Sequence, residues 1–184
     1  MGSNNDISLK ALAKINLGLD VVRRREDGYH EVRMIMQTIY LYDRLDIKRT
    51  KEPGIQIQTN LSFLPVNENN LIYKAAKLLM DEFSITDGVS VKLDKRIPVA
   101  AGMAGGSTDA AAMLIGVNRL FSLGLTKRQL MERGVQIGAD VPYCIMRGTA
   151  LAEGIGEALS PLPPMVKLSL IHISEPTRRV VISY

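Results

Sequence analysis

The sequence predicts an α+β domain in which helices pack on a mixed or antiparallel sheet. Several segments alternate apolar and polar residues with the two-residue period of a strand, and others carry apolar residues at helical spacing. The two kinds of segment follow each other without regular β–α–β alternation, which argues against a doubly wound sheet. The 184 residues suffice for one domain with its own hydrophobic core, or for one domain and part of another.

The first sixty residues predict an antiparallel run of about four strands. The segment KINLGLDV, residues 14–21, alternates cleanly, so we expect a half-buried strand that places Lys14 and Asn16 on the same face. The segments EVRMIMQTIYLY, RLDIKR and IQIQT predict the other strands. The pair Asp27-Gly28 predicts a turn within the charged connection RRREDGYH.

Three segments further along the chain predict helices. Apolar residues fall at helical spacing between Asn70 and Phe83, with a wide apolar stripe. A second helix is expected from about Ser107 to Phe121, where the sequence is rich in alanine. The segment TKRQ, which begins at Thr126, has the pattern of a capping box and predicts a third, shorter helix.

The remaining ordered segments predict strands. VSVKL, residues 89–93, alternates again, and YCIMRGTALAEG, residues 143–154, is interpreted as a strand or hairpin. SPLPP, residues 160–164, is typical of an edge or a linker. Cys144 falls in the expected strand at 143–154, and its apolar neighbours predict a buried, inert thiol.

Composition restricts the possible partners. The net charge of +4 and the sequence pI of about 9.2 favour an anionic partner, either a nucleic acid or a phosphorylated metabolite. Tryptophan is absent and there are three phenylalanines, so a platform for stacking bases is poorly supplied. The single cysteine excludes an internal disulfide and a metal site of several cysteines, and it fits a reducing cytoplasm. No apolar stretch is long enough for a bilayer, so no membrane partner is expected.

The segment PVAAGMAGGSTDAAAML, residues 98–114, is the strongest candidate for a functional site. It lacks both the Gly-Lys-Ser/Thr ending of a P-loop and the spacing GxGxxG. Its glycines allow backbone N–H groups to converge on an anion, and Ser107 and Thr108 stand where a helix begins. A close-packed turn before an alanine-rich helix explains the same residues, and local physics leaves both interpretations open.

That segment closely resembles the phosphate loop of the GHMP kinases. The stretches AKINLGLDVVRRREDGYHEV, ENNLIYKAAKLL with DKRIPVAAG, and IGADVPYCIMRGTALAEGIGE are similar to one branch of that family. The resemblance runs from about Lys10 to Leu170. It implies the family's N-terminal fold, a ribosomal-protein-like βαβ arrangement. It also implies ATP-dependent phosphorylation of the 2-hydroxyl of 4-diphosphocytidyl-2-C-methyl-D-erythritol in the non-mevalonate route to isoprenoids.

The resemblance implies roles for individual residues. Asp140, in GADVP, matches the catalytic aspartate that accepts or orients the hydroxyl proton, and Lys14, in AKIN, matches its lysine partner. Taken alone, Asp140 is as readily an aspartate of a turn or a helix cap. Lys14 is as readily a lysine on the solvated face of a strand. The positions that match the ATP site are Pro98, Ala100, Gly102, Ala104, Gly105, Gly106, Ser107, Thr108, Asn70 and Lys95. Asn70 is also a good helix cap, and Lys95 an ordinary loop lysine.

Three residues match the positions that hold the cytidine part of the substrate, namely Asn16, Tyr29 and His30. Amide and imidazole groups can pair with the cytosine edge, and a tyrosine ring can stack on it. For His30 the alternative is a surface loop histidine. The family also requires Mg²⁺, for which Ser107 is the candidate protein ligand. Asp109 is interpreted as structural.

The resemblance also predicts the domain organisation. Residues 1–170 are expected to form the N-terminal ATP-binding domain, and residues 171–184, IHISEPTRRVVISY, an atypical tail. The C-terminal domain of the family is expected to be missing, so catalysis by this chain alone should be weak or absent. Two alternatives stay open: another small-molecule kinase of the family, and a basic α+β module that binds RNA. The DGYH segment argues against the first, and the phosphate loop with Lys14 and Asp140 argues against the second.

Overall fold

The computed structural model describes residues 5–24, 28 and 30–164. Tyr29 and the predicted tail at 171–184 lie outside these residues. The strands and helices, in chain order, are β1 Asp6–Arg24, β2 His30–Thr50, β3 Ile55–Thr59, α1 Leu71–Glu82, β4 Gly88–Asp94, α2 Gly105–Leu120, α3 Lys127–Gly134, α4 Val141–Met146, β5 Thr149–Glu153 and β6 Ala158–Leu162.

One mixed sheet contains all six strands, in the order β3-β4-β2-β5-β6, with β1 paired to β2 as well. Strand β2 pairs antiparallel with β1 along one edge. Its other edge pairs with β4 through residues 44–50 and with β5 through residues 34–37. Only β3 and β4, among the described strands, run parallel. The prediction of an α+β domain with a mixed sheet is therefore confirmed.

The prediction of four antiparallel strands in the first sixty residues is wrong in two respects. The two segments expected as separate strands between residues 31 and 49 form the single strand β2, which bends instead of turning. The bend lies where pairing steps from Leu12 with Tyr42 to Lys14 with Thr38, so β2 contains two extra residues. The predicted strand IQIQT exists as β3, but it pairs with β4 and not with the first two strands.

Strand β1 is less buried at its far end than its alternation predicts. Leu19 and Val21 belong to the face that the alternation predicts as buried, yet they are 40% and 52% exposed. All residues from Leu19 to Arg24 are exposed, on both faces of the strand. The β1–β2 hairpin therefore extends, at this end, past the helices that cover the rest of the sheet.

The predicted helices are present because their local signals are strong. Helix α1 begins after Asn70, whose side-chain oxygen accepts a hydrogen bond from the Ile72 amide at 2.9 Å. Helix α3 has the predicted capping box between Thr126 and Gln129. Helix α2 starts at Gly105, two residues before the predicted position.

Helix α4 corrects the prediction of a strand at its position. Residues Val141–Met146 are helical, so Cys144 lies on a helix and not in a strand. Pro142 stands in the first turn, where its missing N–H is no loss. The strand part of the prediction holds for β5, and SPLPP overlaps the edge strand β6.

The hydrophobic core lies between one face of the sheet and helices α1, α2 and α4, and Leu130 of α3 also belongs to it. Helix α2 can approach β2 closely because Gly116 has no side chain. A methyl group added at Gly116 would lie 2.3 Å from Cδ1 of Ile47. This contact helps to fix the position of α2, whose N-terminal end follows the glycine loop.

Candidate active site

The glycine loop, residues 98–104, has the backbone geometry of an anion cradle. The φ angles are positive at alternate positions, 58° at Ala100, 71° at Gly102 and 55° at Ala104. Positive φ is uncommon for alanine, and alternation of this kind turns successive N–H groups toward one concave side. Ala100 and Gly102 are exposed, so the cradle is open to a ligand.

Helix α2 directs its N-terminus at the same place. Its N-cap is Ala104, which has no side-chain oxygen to accept a hydrogen bond from the first turn. The uncapped N–H groups and the helix dipole favour an anion there. Gly106 is exposed and Ser107 half-buried, so the first turn of the helix is accessible. Loop and helix together fit a phosphate chain.

Two hydrogen bonds fasten this region to β1. The Lys14 amide donates to the Met103 carbonyl oxygen at 3.2 Å. The Thr108 hydroxyl donates to the Leu12 carbonyl oxygen at 2.8 Å, and Thr108 is only 2% exposed. The resemblance implies that Thr108 touches phosphate. The structure instead uses its hydroxyl proton to join α2 to β1.

Lys14 and Asp140 meet beside the loop. Nζ of Lys14 lies 3.7 Å from Oδ2 of Asp140 and donates a 3.0 Å hydrogen bond to Oδ1 of Asn16. The shared face predicted for Lys14 and Asn16 agrees with this bond. Asp140 precedes α4, but its carboxylate makes no capping bond to that helix. The Lys14 side chain is buried and that of Asp140 is about one-third exposed, so the carboxylate can reach a ligand.

Ser107 completes the group of residues that converge here. A methyl group added at Gly138, in the segment GAD, would lie 4.0 Å from Oγ of Ser107. The turn before Asp140 therefore runs past the first turn of α2. Three elements, namely β1, the start of α2 and the start of α4, bring a lysine, a serine and an aspartate to one surface.

Two residues predicted near the adenine serve other purposes in the structure. Both ends of the Asn70 amide are occupied, because Oδ1 caps α1 and Nδ2 donates to the Pro65 carbonyl oxygen at 2.7 Å. Lys95 is 8% exposed, and its ammonium contacts Asp43 and Asp109 behind the loop. A direct contact of either side chain with a nucleotide would require these bonds to break.

The ion group around Lys95 is a feature that sequence reasoning missed. Asp43 is fully buried, accepts a 2.7 Å hydrogen bond from the Ile97 amide, and also contacts Lys95 and the Arg96 amide. Oδ2 of Asp109 lies 2.7 Å from Nζ of Lys95. Burial raises the pKa of the Asp109 carboxyl well above its ordinary value, against the opposing effect of Lys95. One signal in the sequence could have indicated a buried Asp43. With the two-residue period of a strand, Asp43 falls on the same face of β2 as the buried apolar residues at 45 and 47.

The residues predicted to bind cytidine are not gathered at the site by the described part of the chain. Asn16 lies beside Lys14, as expected. His30 is exposed at the first position of β2 and pairs with Arg24, at the far end of the hairpin. Tyr29 lies outside the described residues. Of the two that are described, Asn16 alone therefore stands next to the Lys14–Asp140 pair.

Helix α4 is held by a buried tyrosine. The Tyr143 hydroxyl donates to the Gly148 carbonyl oxygen at 2.7 Å and lies 3.1 Å from Oγ1 of Thr38. Burial raises the pKa of Tyr143 to about 12. Cys144, beside it, is buried as predicted, and burial raises the pKa of its thiol to about 12 as well. The thiol is therefore inert at neutral pH.

One recess among the described residues lies away from the Lys14–Asp140 pair. It has a volume of about 610 Å³ and is lined by residues of α1 and α3 and by Gln136. An ion pair between Arg133 and Glu82 crosses its wall.

A metal site built from side chains is not found in the part of the chain that the structure describes. Within residues 5–24, 28 and 30–164, no group of three or more His, Cys, Asp or Glu side chains could hold a metal ion. None of the helices seen there combines the length and the apolar character needed to span a bilayer.

Comparison with known proteins identifies relatives over most of the chain. Residues 70–148 match the family model described as the GHMP kinases N terminal domain. A protein of Lachnoclostridium phytofermentans named 4-diphosphocytidyl-2-C-methyl-D-erythritol kinase is 61% identical over 170 residues, which are 92% of this chain and 58% of that protein. A protein of the same name from Lachnospira eligens is 64% identical over 159 residues, covering 86% of this chain and 55% of its own length.

A solved structure has the same fold. The crystal structure of a 4-(cytidine 5'-diphospho)-2C-methyl-D-erythritol kinase aligns with a TM-score of 0.74 and 38% sequence identity, over 85% of this chain and 55% of that one. The chain thus spans less than two thirds of the length of these relatives. Residues 70–148 thus match the N-terminal domain model of the GHMP kinases, and most of the chain is similar in sequence and fold to part of the kinases named above.

Proposed function

We propose that this chain is the nucleotide-binding part of a kinase that transfers the γ-phosphoryl group of ATP to the 2-hydroxyl of 4-diphosphocytidyl-2-C-methyl-D-erythritol. The observation that carries the proposal is the pairing of Lys14 with Asp140, 3.7 Å apart, beside the glycine loop. High identity to relatives that bear the name of this kinase supports the choice of substrate. The place of the reaction is the non-mevalonate synthesis of isoprenoid precursors, in the cytoplasm, where ATP is available.

The glycine loop is proposed to hold the phosphates of ATP. The amides between Pro98 and Ala104 and the first turn of α2, at Gly105, Gly106 and Ser107, supply hydrogen-bond donors without adding charge. The left-handed residues Ala100, Gly102 and Ala104 keep these donors facing one side. Such a preformed cradle stabilises the charge of the transferring phosphoryl group, which is the main demand of this chemistry.

Lys14 and Asp140 are proposed to act on the acceptor hydroxyl. The Asp140 carboxylate is partly exposed and makes no capping bond, so it can accept or orient the hydroxyl proton. The Lys14 ammonium stabilises negative charge on the attacking oxygen. Asn16, which accepts a hydrogen bond from Lys14, fixes the direction of that ammonium and offers its amide to the substrate.

The proposal includes Mg²⁺ bound with ATP. The oxygen donors beside the loop fit this ion, since Mg²⁺ takes few protein ligands and completes its shell with phosphate oxygens and water. Ser107 would supply a hydroxyl oxygen from the first turn of α2. When bound, Mg²⁺ neutralises charge on the phosphate oxygens. Tyr29 and His30 stay predicted cytosine contacts, and for His30 this contact requires the end of the hairpin to approach the site.

Calorimetric titration with ATP and Mg²⁺, followed by mass-spectrometric detection of the phosphorylated product, tests the proposal. We expect the chain to bind ATP and Gly105→Val to bind much more weakly, because the larger side chain distorts the loop. Asp140→Asn should retain ATP binding and lose any product formation that the chain supports. Equal ATP binding by the chain and Gly105→Val, or product formation that survives Asp140→Asn, contradicts the proposal.

One surface feature favours the alternative of RNA binding. The Lys10 ammonium lies 5.0 Å and 4.6 Å from the rings of Tyr40 and Tyr42, and the Arg96 guanidinium lies 5.9 Å from the Tyr42 ring. Exposed aromatic and cationic groups of this kind can stack on unpaired bases. Salt-sensitive filter binding of a single-stranded RNA, lost in Tyr40→Ala, would favour this alternative.

A further inference from the structure

Three buried ionisable residues connect the two ends of the glycine loop. Lys95 lies in the segment that enters the loop, Asp109 lies in the first turns of α2, and Asp43 comes from β2. Nζ of Lys95 contacts the carboxylates of both Asp43 and Asp109. We refer to these three residues as the loop clamp. Lys95 and Asp109 are 14 residues apart in the chain, and every residue of the loop lies between them.

The loop clamp lies directly behind the loop. A methyl group added at Gly105 would lie 2.8 Å from Nζ of Lys95 and 3.2 Å from Cγ2 of Ile97. Lys95, Asp43 and Asp109 are only 8%, 0% and 3% exposed. The ammonium therefore supports the loop from the protein side, and the anion cradle faces the opposite, exposed side.

The bonds of Asp43 show what the clamp holds. Its carboxylate accepts hydrogen bonds from the amides of Arg96 and Ile97 as well as from Lys95. These bonds fix the backbone immediately before Pro98, where the loop begins. Asp109 fixes the other end, because the backbone at that position belongs to α2. The Lys95 ammonium thus links the two ends of the loop, because it contacts both Asp43, which holds the start, and Asp109, which holds the end.

Stability alone does not account for the clamp. Apolar residues of similar size often stabilise a core as well as buried ion pairs do, because desolvation of the charges offsets their attraction. The clamp contains two carboxyl groups and one ammonium, and Oδ1 of Asp109 has no hydrogen-bond partner among the described residues. Since the Lys95 ammonium also contacts Asp43, removal of the Asp109 carboxyl leaves a balanced Lys95–Asp43 pair.

We propose that Lys95 and Asp109 are positioning residues, which hold the ends of the glycine loop together so that its amides converge before the nucleotide arrives. Neither side chain touches the nucleotide. A loop ordered in advance loses less entropy on binding, so the clamp raises the affinity for phosphate without contacting it. This inference rests on the proposed function for the identity of its ligand, ATP, but the order of the loop can be measured without any ligand.

The test compares Asp109→Ala and Asp109→Asn in the full chain. Amide hydrogen exchange of peptides that cover residues 96–106 reports the order of the loop, and calorimetry with ATP and Mg²⁺ reports affinity. Asp109→Ala should raise loop exchange and weaken ATP binding by about tenfold, the effect of losing one charge-assisted bond. Asp109→Asn retains an acceptor for Lys95 and should recover most of both losses. Val91→Ala in β4, a core change remote from the clamp, should lower stability without changing either readout.

Each other outcome is informative. Loop exchange that does not rise in Asp109→Ala overturns the proposal, and so does a rise that leaves ATP affinity unchanged. The proposal is also overturned if Asp109→Ala and Val91→Ala change loop exchange and ATP affinity equally at an equal loss of stability. Asp109 would then contribute only to the stability of the fold. If the unaltered chain binds no ATP, the proposed function fails, and the exchange measurement alone decides whether the clamp orders the loop.

Discussion

The hydroxyl of Tyr143 lies 3.1 Å from Oγ1 of Thr38. Thr38 is the cross-strand partner of Lys14, and Tyr143 belongs to the helix that Asp140 precedes. The bond therefore joins the supports of the two proposed catalytic residues. Buried structure thus helps to set the Lys14–Asp140 distance, although Asp140 itself is partly exposed.

Removal of the Tyr143 hydroxyl should weaken this connection. We expect Tyr143→Phe to lower the free energy of unfolding by about 1 kcal/mol, because one buried hydrogen-bonding group is lost while the ring still packs. Urea denaturation measures the change. A double-mutant cycle with Thr38→Val should give a coupling of about 0.5 kcal/mol or more. Additive effects of the two substitutions would show that the hydroxyls do not interact.

Alanine substitution should have different effects on stability at the two adjacent glycines in the first turn of α2. A methyl group at Gly105 would crowd Lys95 at 2.8 Å, whereas one at Gly106 would meet only Cδ1 of Leu71, at 3.4 Å. We expect Gly105→Ala to lower the melting temperature. Gly106→Ala should leave it unchanged or raise it, since alanine favours a helix by about 1 kcal/mol over glycine. A calorimetric scan of both variants is the measurement, and equal melting temperatures would contradict the close approach of Lys95 to Gly105.

The hydroxyl of Thr108 should matter for stability, since it joins α2 to β1 through Leu12 at 2.8 Å. Thr108→Val keeps the shape of the side chain but leaves the Leu12 carbonyl oxygen without this donor. We expect a loss of about 1–2 kcal/mol in the free energy of unfolding. Thr108→Ser restores the donor and serves as the control. If valine and serine are equally stable at this position, the hydrogen bond contributes nothing.

The buried thiol of Cys144 predicts a loss of stability in alkali. Burial raises its pKa from the ordinary 9.0 to about 12. The unfolded chain therefore releases the thiol proton first, so the contribution is fully present below pH 9 and is lost as the pH rises toward 12. The loss reaches at most about 4 kcal/mol. Urea denaturation across this range should show a steeper decline for the unaltered chain than for Cys144→Ala.

The same burial predicts slow modification of the thiol. Iodoacetamide at a pH of about 8 should react with Cys144 slowly in the folded chain and rapidly in urea, because only a thiolate in reach of the reagent is alkylated. Mass spectrometry of timed samples measures the two rates. Fast alkylation of the folded chain would contradict the buried position of Cys144 on α4.

The sequence predicts those features that depend on neighbours along the chain. Helix α1 follows from its apolar spacing and Asn70, and the cap of α3 from Thr126 and Gln129, because capping acts within one helical turn. The shared face of Lys14 and Asn16 follows from strand periodicity. The glycine loop is ambiguous by local physics, and its interpretation as a phosphate cradle depends on the family resemblance.

Features that depend on distant partners are not predicted. The segments at 31–42 and 44–49 alternate separately, and nothing local shows that β2 bends through them as one strand. The contacts of Lys95 need Asp43, which lies 52 residues away, so only the family resemblance assigns this lysine a role, as a nucleotide contact. Helix α4 has six residues, too few for its apolar spacing to be told from that of a strand.

The double pairing along one edge of β2 has a consequence for how the chain folds. Gln37 of β2 pairs with Thr149 of β5, which follows it by 112 residues in the chain. The Thr149 hydroxyl also donates a hydrogen bond to the Gln37 side chain. Since synthesis begins at the N-terminus, the β1–β2 hairpin is complete long before β5 exists. Pairings that distant form slowly, and until then the open edge of β2 can pair with another chain. Folding yield should therefore depend on concentration and on chaperones more than the stability of the finished domain suggests.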